Sequence, residues 1–393
     1  MIARISVWLI LALLLPDVYF ERVYICRSRK YKWLKRLLLC GSSLLMVVYT
    51  LFLSLQHDFA PHSVSTLNIY LLLTGIYTVP KLLFAVCSLL GWGHCRYHHT
   101  VTNWGNYAGA VLAIAVIALV VYGSTWGFNS VVVRHETFYS KQLPASFDGY
   151  KIVQFSDAHV GTYDSSRQYI LKAAVDSINA QQADVVCFTG DLQNMRPIEL
   201  QPVSRLLSSI KAPDGVYSVL GNHDYADYTH DTEAQKKRNE QLTMHYEQSF
   251  GWQLLNNEHV TLKRDNDSII IAGMENDGKA PFPSKGNILK ALKGTAVGSF
   301  KIMLEHDPSA WDRKILPQSD VQLTLSGHTH AMQFKVLGWS PAALLYKEWG
   351  GMYQHQQRAI SVSTGVGGFI PFRVGVKNEI VVITLRRVPP SKQ

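Results

Sequence analysis

The first third of the chain is dominated by four apolar stretches, whereas the remainder alternates short apolar runs with polar segments. The stretches cover residues 5–20, 37–55, 67–92 and 107–126. A helix needs ~20 apolar residues to cross ~30 Å of hydrocarbon. The second and fourth stretches meet this need without a charged residue, the third contains Lys81, and the first contains Pro16 and Asp17. We therefore predict about four transmembrane helices within residues 1–127.

Two of these stretches carry features that admit more than one interpretation. Arg4 precedes the first apolar run, as in a secretory signal, but no small-x-small cleavage site follows it, which favours an uncleaved helix. Lys81 has no evident acidic partner in the sequence, so we interpret it as a lysine that packs between helices rather than as a functional group.

The loops between the stretches differ in basic charge, which predicts their orientation. The first loop contains seven basic residues: Arg22, Arg27, Arg29, Lys30, Lys32, Lys35 and Arg36. The second loop, residues 56–66, has none, and the third contains Arg96. The positive-inside rule puts the first and third loops in the cytoplasm. The last two thirds of the chain are then predicted to be extracytoplasmic, and the protein is predicted to lie in the cell membrane, the inner membrane where there are two. The predicted orientation reverses if the third stretch does not cross the membrane.

Composition and charge narrow the class of protein. Of the 393 residues, 47% are hydrophobic and 17% are charged, which excludes a disordered chain. The net charge is +9, but residues 1–127 hold ten Lys or Arg and three Asp or Glu, which leaves the remainder nearly neutral. No nucleic-acid partner is expected, because such a domain should carry a basic surface. Cys187 is the one cysteine after residue 127, so a disulfide framework is excluded there.

Residues 151–387 have the pattern of an α/β domain. Strands are predicted at residues 151–156, 184–188, 215–220, 268–272, 300–304, 321–325, 360–363 and 379–385, and helices at residues 169–180, 200–210 and 232–249. Nearly continuous apolar strands indicate sheets that are buried on both faces. The predicted fold is an N-terminal helical transmembrane region followed by a two-sheet α/β sandwich. Residues 128–150 form a linker and a first strand, and residues 388–393 form a tail.

Potential metal ligands follow five of the predicted strands. They are Asp157 and His159, then Asp191, then Asn222 with His223 and Asp224, then His306, and finally His328 and His330. In open α/β sheets ligands bind beyond the carboxyl ends of the strands. Carboxylate and imidazole groups suit Zn, Mn or Fe, and D-x-H and H-x-H spacing places both side chains on one side of an extended segment. The set is large enough for two ions that share one carboxylate.

The motifs that carry these residues are D-x-H, G-D, G-N-H-D, a lone His and G-H-x-H, in that order. They resemble the signature of the calcineurin-like metallophosphoesterase superfamily over residues 151–387, and residues 353–385 resemble its membrane-associated bacterial branch. The chain departs from many relatives at Asn194, where they have Asp in G-D-x-x-D; that position is not a usual ligand.

The resemblance implies a role for each residue. One metal would be held by Asp157, His159, Asp191 and His330, and the other by Asp191, Asn222, His306 and His328. A metal-bridging hydroxide would attack phosphorus, and His223 would protonate the leaving oxygen or stabilise the transition state. Asp224 would orient His223, as carboxylates commonly do for imidazoles.

The substrate is less determined than the chemistry. Residues 336–346 form an apolar run after the last ligands, which indicates either core packing or contact with lipid. We predict a membrane-anchored phosphoesterase that acts on lipid or cell-envelope phosphoesters. The alternatives are a pyrophosphatase of a nucleotide-linked glycolipid such as UDP-diacylglucosamine, and a non-catalytic metal-binding membrane module. Arg373 is a candidate either for contact with the substrate anion or for a structural ion pair. No oligomeric state follows from the sequence.

Overall fold

The computed structural model describes residues 2–28, 30–56, 58–60 and 64–388. Arg29 of the first loop, several residues of the second loop and most of the predicted tail lie outside this range. The chain divides into two compact units between Thr125 and Trp126, with Tyr228–His230 grouped in the first unit. Each unit is described by itself below.

The first unit contains four helices that are long and apolar enough to cross a membrane. They are α1 (Ile2–Ile25), α2 (Lys32–Ser54), α3 (Val64–His98) and α4 (Trp104–Gly127). Each helix corresponds to one apolar stretch of the sequence. Helices α1, α3 and α4 extend beyond their stretches at both ends. The prediction of about four membrane-spanning helices is therefore confirmed by length and composition, including the first stretch, in which Pro16 lies inside the helix.

Lys81 packs between helices as predicted, but it has an acidic partner that the sequence did not reveal. Its Nζ lies 2.5 Å from Oδ1 of Asp17 on α1 and donates a hydrogen bond of 2.6 Å to Oγ of Ser43 on α2. Lys81 and Asp17 are 9% and 8% exposed. A charge buried between helices requires compensation. In the sequence Asp17 resembles a defect in the first stretch because its partner lies 64 residues away.

The described residues of the second unit form twelve strands. They are β1 (Val131–Ser140), β2 (Lys151–Phe155), β3 (Val185–Phe188), β4 (Val216–Ser218), β5 (Gln253–Leu254), β6 (Glu258–Arg264), β7 (Asp267–Gly273), β8 (Phe300–Leu304), β9 (Leu323–Ser326), β10 (Gly351–His355), β11 (Arg358–Val362) and β12 (Asn378–Arg387). The first sheet has the order β1-β12-β2-β3-β4-β5, and the second has the order β10-β11-β9-β8-β7-β6. Strands β2 to β5 are mutually parallel, as are β7, β8, β9 and β11.

Helices complete the second unit. They are α5 (Gln168–Ala180), α6 (Ser204–Leu207), α7 (Glu233–Ser249), α8 (Ile288–Ala291) and α9 (Leu316–Gln318). The predicted helix over residues 200–210 is instead a 3-10 segment, Pro197–Val203, which continues into the single α-helical turn of α6. Pro202 explains the shortening, since proline lacks the N–H that an α-helix interior requires.

One apolar cluster lies between the two sheets, and two further clusters cover their outer faces. Ile152 and Cys187 of the first sheet and Leu304 and Leu325 of the second belong to one cluster between the sheets. The neighbouring residue Val153 faces the opposite side, in the cluster that includes α5. This alternation along one strand gives the first sheet two buried faces. The prediction of a two-sheet α/β sandwich is confirmed, although the sequence did not indicate β5, β6 and β10.

Candidate metal centre

The predicted ligands converge because their strands end at the same edges. The parallel strands β2, β3 and β4 are followed by Asp157, Asp191 and Asn222. Strands β8 and β9 of the second sheet are followed by His306 and His328. In parallel sheets the carboxyl ends form one rim, so side chains that are far apart in the sequence meet there.

A first group of possible ligands contains Asp157, His159 and His330. Nε2 of His330 lies 3.2 Å from Oδ1 of Asp157 and 3.2 Å from Nε2 of His159. Nε2 of His159 also lies 3.6 Å from Oδ2 of Asp191. Asp157 and His159 are fully buried or nearly so, and therefore they offer fixed donor atoms.

A second group contains Asp191, His306 and His328. Nε2 of His306 lies 3.2 Å from Oδ2 of Asp191 and 3.3 Å from Nδ1 of His328. Nδ1 of His328 is also 2.7 Å from Oδ1 of Asn222. Oδ2 of Asp191 is thus the atom that stands between the two groups.

These spacings fit metal ions. Donor atoms around an ion at ~2.1 Å stand roughly 3 to 3.5 Å apart, close to the distances within each group. His159 and His330 face each other through ring nitrogens, and so do His306 and His328. Two unprotonated ring nitrogens cannot hydrogen-bond to one another, whereas one cation between them accepts both lone pairs. The residues present are therefore a suitable donor set for two ions.

The pKa values of three of these buried histidines also favour metal binding. Burial lowers the pKa of His159 to about 3 and that of His328 to about 4, and it lowers the pKa of His330 as well. These imidazoles are neutral near pH 7, which is the form that binds metals. Burial also lowers the pKa of His306, but the carboxylates of Asp191 and Asp157 outweigh it and raise the value to about 10. The second group therefore favours a positive charge beside Asp191.

His223 is oriented by a different group from the one that we expected. Its Nδ1 lies 2.6 Å from the carbonyl oxygen of Asn194, which leaves Nε2 on the other side of the ring. The carboxylate of Asp224 accepts hydrogen bonds from the backbone N–H groups of Asp191, Leu192, Gln193 and Gly221. Asp224 thus fixes the turn that carries Asp191, and its expected role as the orienting partner of the His223 ring is corrected.

The backbone at the candidate centre is strained. Asp157, His159, Asp191, His328 and His330 all have positive φ, between 44° and 71°. The expectation that the D-x-H and H-x-H segments are extended is therefore wrong, and the side chains converge through left-handed turns. Such conformations cost non-glycine residues of order 1–3 kcal/mol each and cluster at functional sites. The neighbouring Gly190 has φ +93°, and a Cβ there would meet the backbone N of Gly221 at 2.5 Å.

Comparison with known proteins identifies the family of this chain. The sequence profile described as "Calcineurin-like phosphoesterase" matches residues 150–332, and the profile described as "Probable Calcineurin-like phosphoesterase, transmembrane domain" matches residues 3–128. A Danio rerio protein named "Transmembrane protein with metallophosphoesterase domain" is 30% identical over 368 residues, which cover 87% of this chain and 80% of the relative. This chain belongs to the calcineurin-like metallophosphoesterase family.

Further relatives of this metallophosphoesterase include bacterial proteins. "Uncharacterized metallophosphoesterase YkuE" of Bacillus subtilis is 32% identical over 295 residues, which cover 71% of this chain and 94% of the relative. A crystal structure of a dimetal phosphatase from Danio rerio covers 57% of this chain and 89% of its own, with 12% identity and a TM-score of 0.32, and the identification does not depend on it. The chain is thus a membrane-linked phosphoester hydrolase, and its predicted place in the bacterial branch stays a prediction.

Several residues of the metallophosphoesterase centre were not predicted from the sequence. The hydroxyl of Tyr346 lies 2.7 Å from Nε2 of His328, and the ring of Phe282 packs edge-on against the same imidazole. The carbonyl of Thr189 accepts a hydrogen bond from Nδ1 of His306. Only the position of Tyr346 close after the last motif offered a signal in the sequence.

Arg373 binds backbone carbonyl groups. It is fully buried and donates to the carbonyl oxygens of Thr364, Gly365, Gly367 and Lys377. Burial lowers its pKa to about 10. Both expected roles, contact with the substrate anion and a structural ion pair, are replaced by hydrogen bonds that fix the glycine-rich turn.

Proposed function

We propose that this metallophosphoesterase hydrolyses phosphoesters at a centre that holds two divalent or trivalent metal ions, Mn, Fe or Zn. The ligands of the first ion would be Asp157, His159, Asp191 and His330, and those of the second would be Asp191, Asn222, His306 and His328. The observation that supports this assignment most strongly is the position of Asp191 Oδ2, within 3.6 Å of His159 Nε2 and 3.2 Å of His306 Nε2. One carboxylate can therefore serve both groups.

The chemistry divides between the ions and the chain. When bound, the metal pair would supply an activated water as nucleophile and neutralise charge on the phosphoryl oxygens. The side chains hold the donors in place, and Asp224 holds the turn that carries Asp191 through four backbone hydrogen bonds.

His223 is the proposed proton donor. Because its Nδ1–H is held by the carbonyl of Asn194, a second proton would have to be carried at Nε2. Burial lowers the pKa of His223, whereas the negative charge of a phosphoester beside the ring raises it. His223 would therefore gain its second proton in the substrate complex and transfer it to the leaving oxygen as the P–O bond breaks.

A phosphate-release screen tests this proposal. The full chain, purified in detergent, would be stripped with chelator and assayed on soluble and lipid phosphoesters with Mn, Zn or Fe added back. We expect activity that depends on metal, and its loss in Asp191→Asn but not in Asp176→Asn, which changes an exposed carboxylate paired with Lys172 on α5. Metal-independent release, or equal activity in the two variants, would overturn the assignment.

The orientation of the hydrolase domain is the second part of the proposal. The excess of basic residues in the first loop supports an extracytoplasmic domain at a cell (inner) membrane, which suits lipid- or envelope-linked substrates. A single cysteine at position 297, where Val297 is fully exposed, would be introduced into a variant without the five native cysteines. We expect labelling by a membrane-impermeant maleimide in intact cells. Labelling only after lysis would place the domain in the cytoplasm.

A further inference from the structure

An exposed apolar segment follows the last ligands of the candidate centre. We call residues 336–345 the apolar loop. The exposed fractions of its large side chains are 46% for Val336, 102% for Leu337, 51% for Trp339, 75% for Leu344 and 64% for Leu345. So many exposed large apolar side chains in one short segment are uncommon on a soluble surface and indicate an interaction site. The core-packing interpretation of this run therefore does not hold for its large side chains.

The tip of the apolar loop has two unfavourable features, an exposed leucine side chain and a left-handed backbone at the same residue. Val336 and Trp339 exchange backbone hydrogen bonds of 2.9 and 3.0 Å, so Leu337 and Gly338 form a two-residue turn. Leu337 has φ +50°. Turns of this type favour Asn, Asp or Gly, because a side chain with a branched body is strained at positive φ. A fully exposed leucine in a left-handed turn indicates that the apolar side chain itself is required there.

The base of the apolar loop is firmly held. Oγ of Ser340 donates to the carbonyl of Ala331 at 2.6 Å and accepts from the N–H of Ala342, and both Ser340 and Ala342 are fully buried. The loop is therefore a built projection whose small residues face the domain and whose large apolar residues face outward.

The residue types in and around the apolar loop are those of a segment at a lipid surface. Residues 331–347 contain two lysines, Lys335 and Lys347, and no acidic residue. Lys347 pairs with Asp312 at 2.7 Å and lies 3.4 Å from Glu348, and it remains 74% exposed. Trp and Leu flanked by Lys is the composition of segments that lie in the lipid–water interface. The same chain carries four helices that can span a membrane, so a bilayer is always within its reach.

The apolar loop also leads directly to the centre. The next residue after it is Tyr346, whose hydroxyl lies 2.7 Å from Nε2 of the proposed ligand His328. We propose that the apolar loop inserts into the interface of a lipid bilayer and that the centre takes the phosphoester of a membrane lipid from there. This inference rests on the proposed function and names its substrate class.

Insertion can be measured without catalysis. An environment-sensitive NBD label would be attached to Leu337→Cys or Leu344→Cys, in a cysteine-free full chain reconstituted in vesicles of phosphatidylcholine and phosphatidylglycerol. We expect strong quenching by doxyl-labelled lipid at both positions and none at Val297→Cys. Val297 is as exposed as Leu337, but it precedes β8 and so lies at the opposite end of that strand from His306. The same quenching in an Asp191→Asn background would show that insertion is independent of the metal centre.

Two results would overturn insertion. The first is equal quenching at positions 337 and 297. The second is a label response that depends on protein density but not on doxyl lipid, which would assign the loop to contact with a second copy of the chain.

Hydrolysis tests the lipid substrate separately. Leu344→Glu should lower the ratio of phosphatidic acid turnover to p-nitrophenyl phosphate turnover by about tenfold, whereas Val297→Glu should leave the ratio unchanged. Activity on p-nitrophenyl phosphate also reports whether the variant folds. An unchanged ratio in Leu344→Glu would reject lipid delivery by the loop. A wild-type chain that hydrolyses no phosphoester would instead reject the proposed function.

Discussion

Buried charges are arranged differently in the two units of this metallophosphoesterase. In the membrane unit Lys81 and Asp17 form a pair at 2.5 Å that balances itself. In the hydrolase domain, the ion-pair partners that Asp157 and Asp191 have among the described residues are all histidines. A balanced pair holds helices together, whereas carboxylates that converge with histidines have no lysine or arginine as a permanent cation and are suited to bind a metal ion.

The largest effect should follow from removal of the shared carboxylate. Asp191→Ala deletes the atom that stands between both ligand groups, so we expect both ions to be lost and hydrolysis to fall by at least about a thousandfold. Added metal should raise the melting temperature of the wild-type chain, because an ion that binds only the folded state stabilises it. Metal content and thermal unfolding would be measured together, and a metal-dependent rise in the variant would contradict the shared role.

The pair in the membrane unit should respond in the opposite way. Lys81→Met leaves Asp17 buried without its cation, which we expect to cost about 3–5 kcal/mol of stability. The double variant Asp17→Leu with Lys81→Met removes both charges and should recover most of this loss. Thermal unfolding in detergent would be compared with Lys172→Met, which breaks an exposed pair worth about 0.5 kcal/mol. A double variant as unstable as Lys81→Met would show that the pair does more than balance charge.

A smaller effect separates proton transfer from metal binding within the hydrolase domain. His223→Asn should lower kcat about a hundredfold on an alkyl phosphate, with the metal content unchanged. The loss should be smaller on p-nitrophenyl phosphate, because its leaving group needs no proton. Loss of metal in this variant would show that His223 is a metal ligand. Its position beside His159 and Asp191 is compatible with that role.

How far the sequence predicts the structure also differs between the units. The apolar stretches were sufficient to predict the four helices, because this pattern is local. The order of Asp, Asn and His was sufficient to predict the candidate site, because such residues recur at the end of one strand after another. Pairs that depend on tertiary packing were missed: Lys81 with Asp17, and His223 with the carbonyl of Asn194. The exposure of Leu337 could not be predicted either, since an apolar run has the same sequence whether it faces the core or solvent.

The smallest effect concerns the tyrosine that links the apolar loop to the centre. If Nδ1 of His328 binds metal, its proton resides on Nε2 and is donated to the hydroxyl of Tyr346 at 2.7 Å. Oδ2 of Asp307 lies 3.7 Å from the same nitrogen and can replace part of that hydrogen bond. We therefore expect Tyr346→Phe to weaken metal binding by less than about tenfold.

Competition with a chelator would measure this change, with Tyr353→Phe as the matched control, because the hydroxyl of Tyr353 is bonded to the backbone N–H of Trp349. Equal metal affinity in the two variants would mean that Asp307 alone orients His328, and that the apolar loop reaches the metal centre without tuning it. A loss confined to Tyr346→Phe would instead join the two features, so that a segment suited to lipid would also help to set the affinity of the centre for its ion.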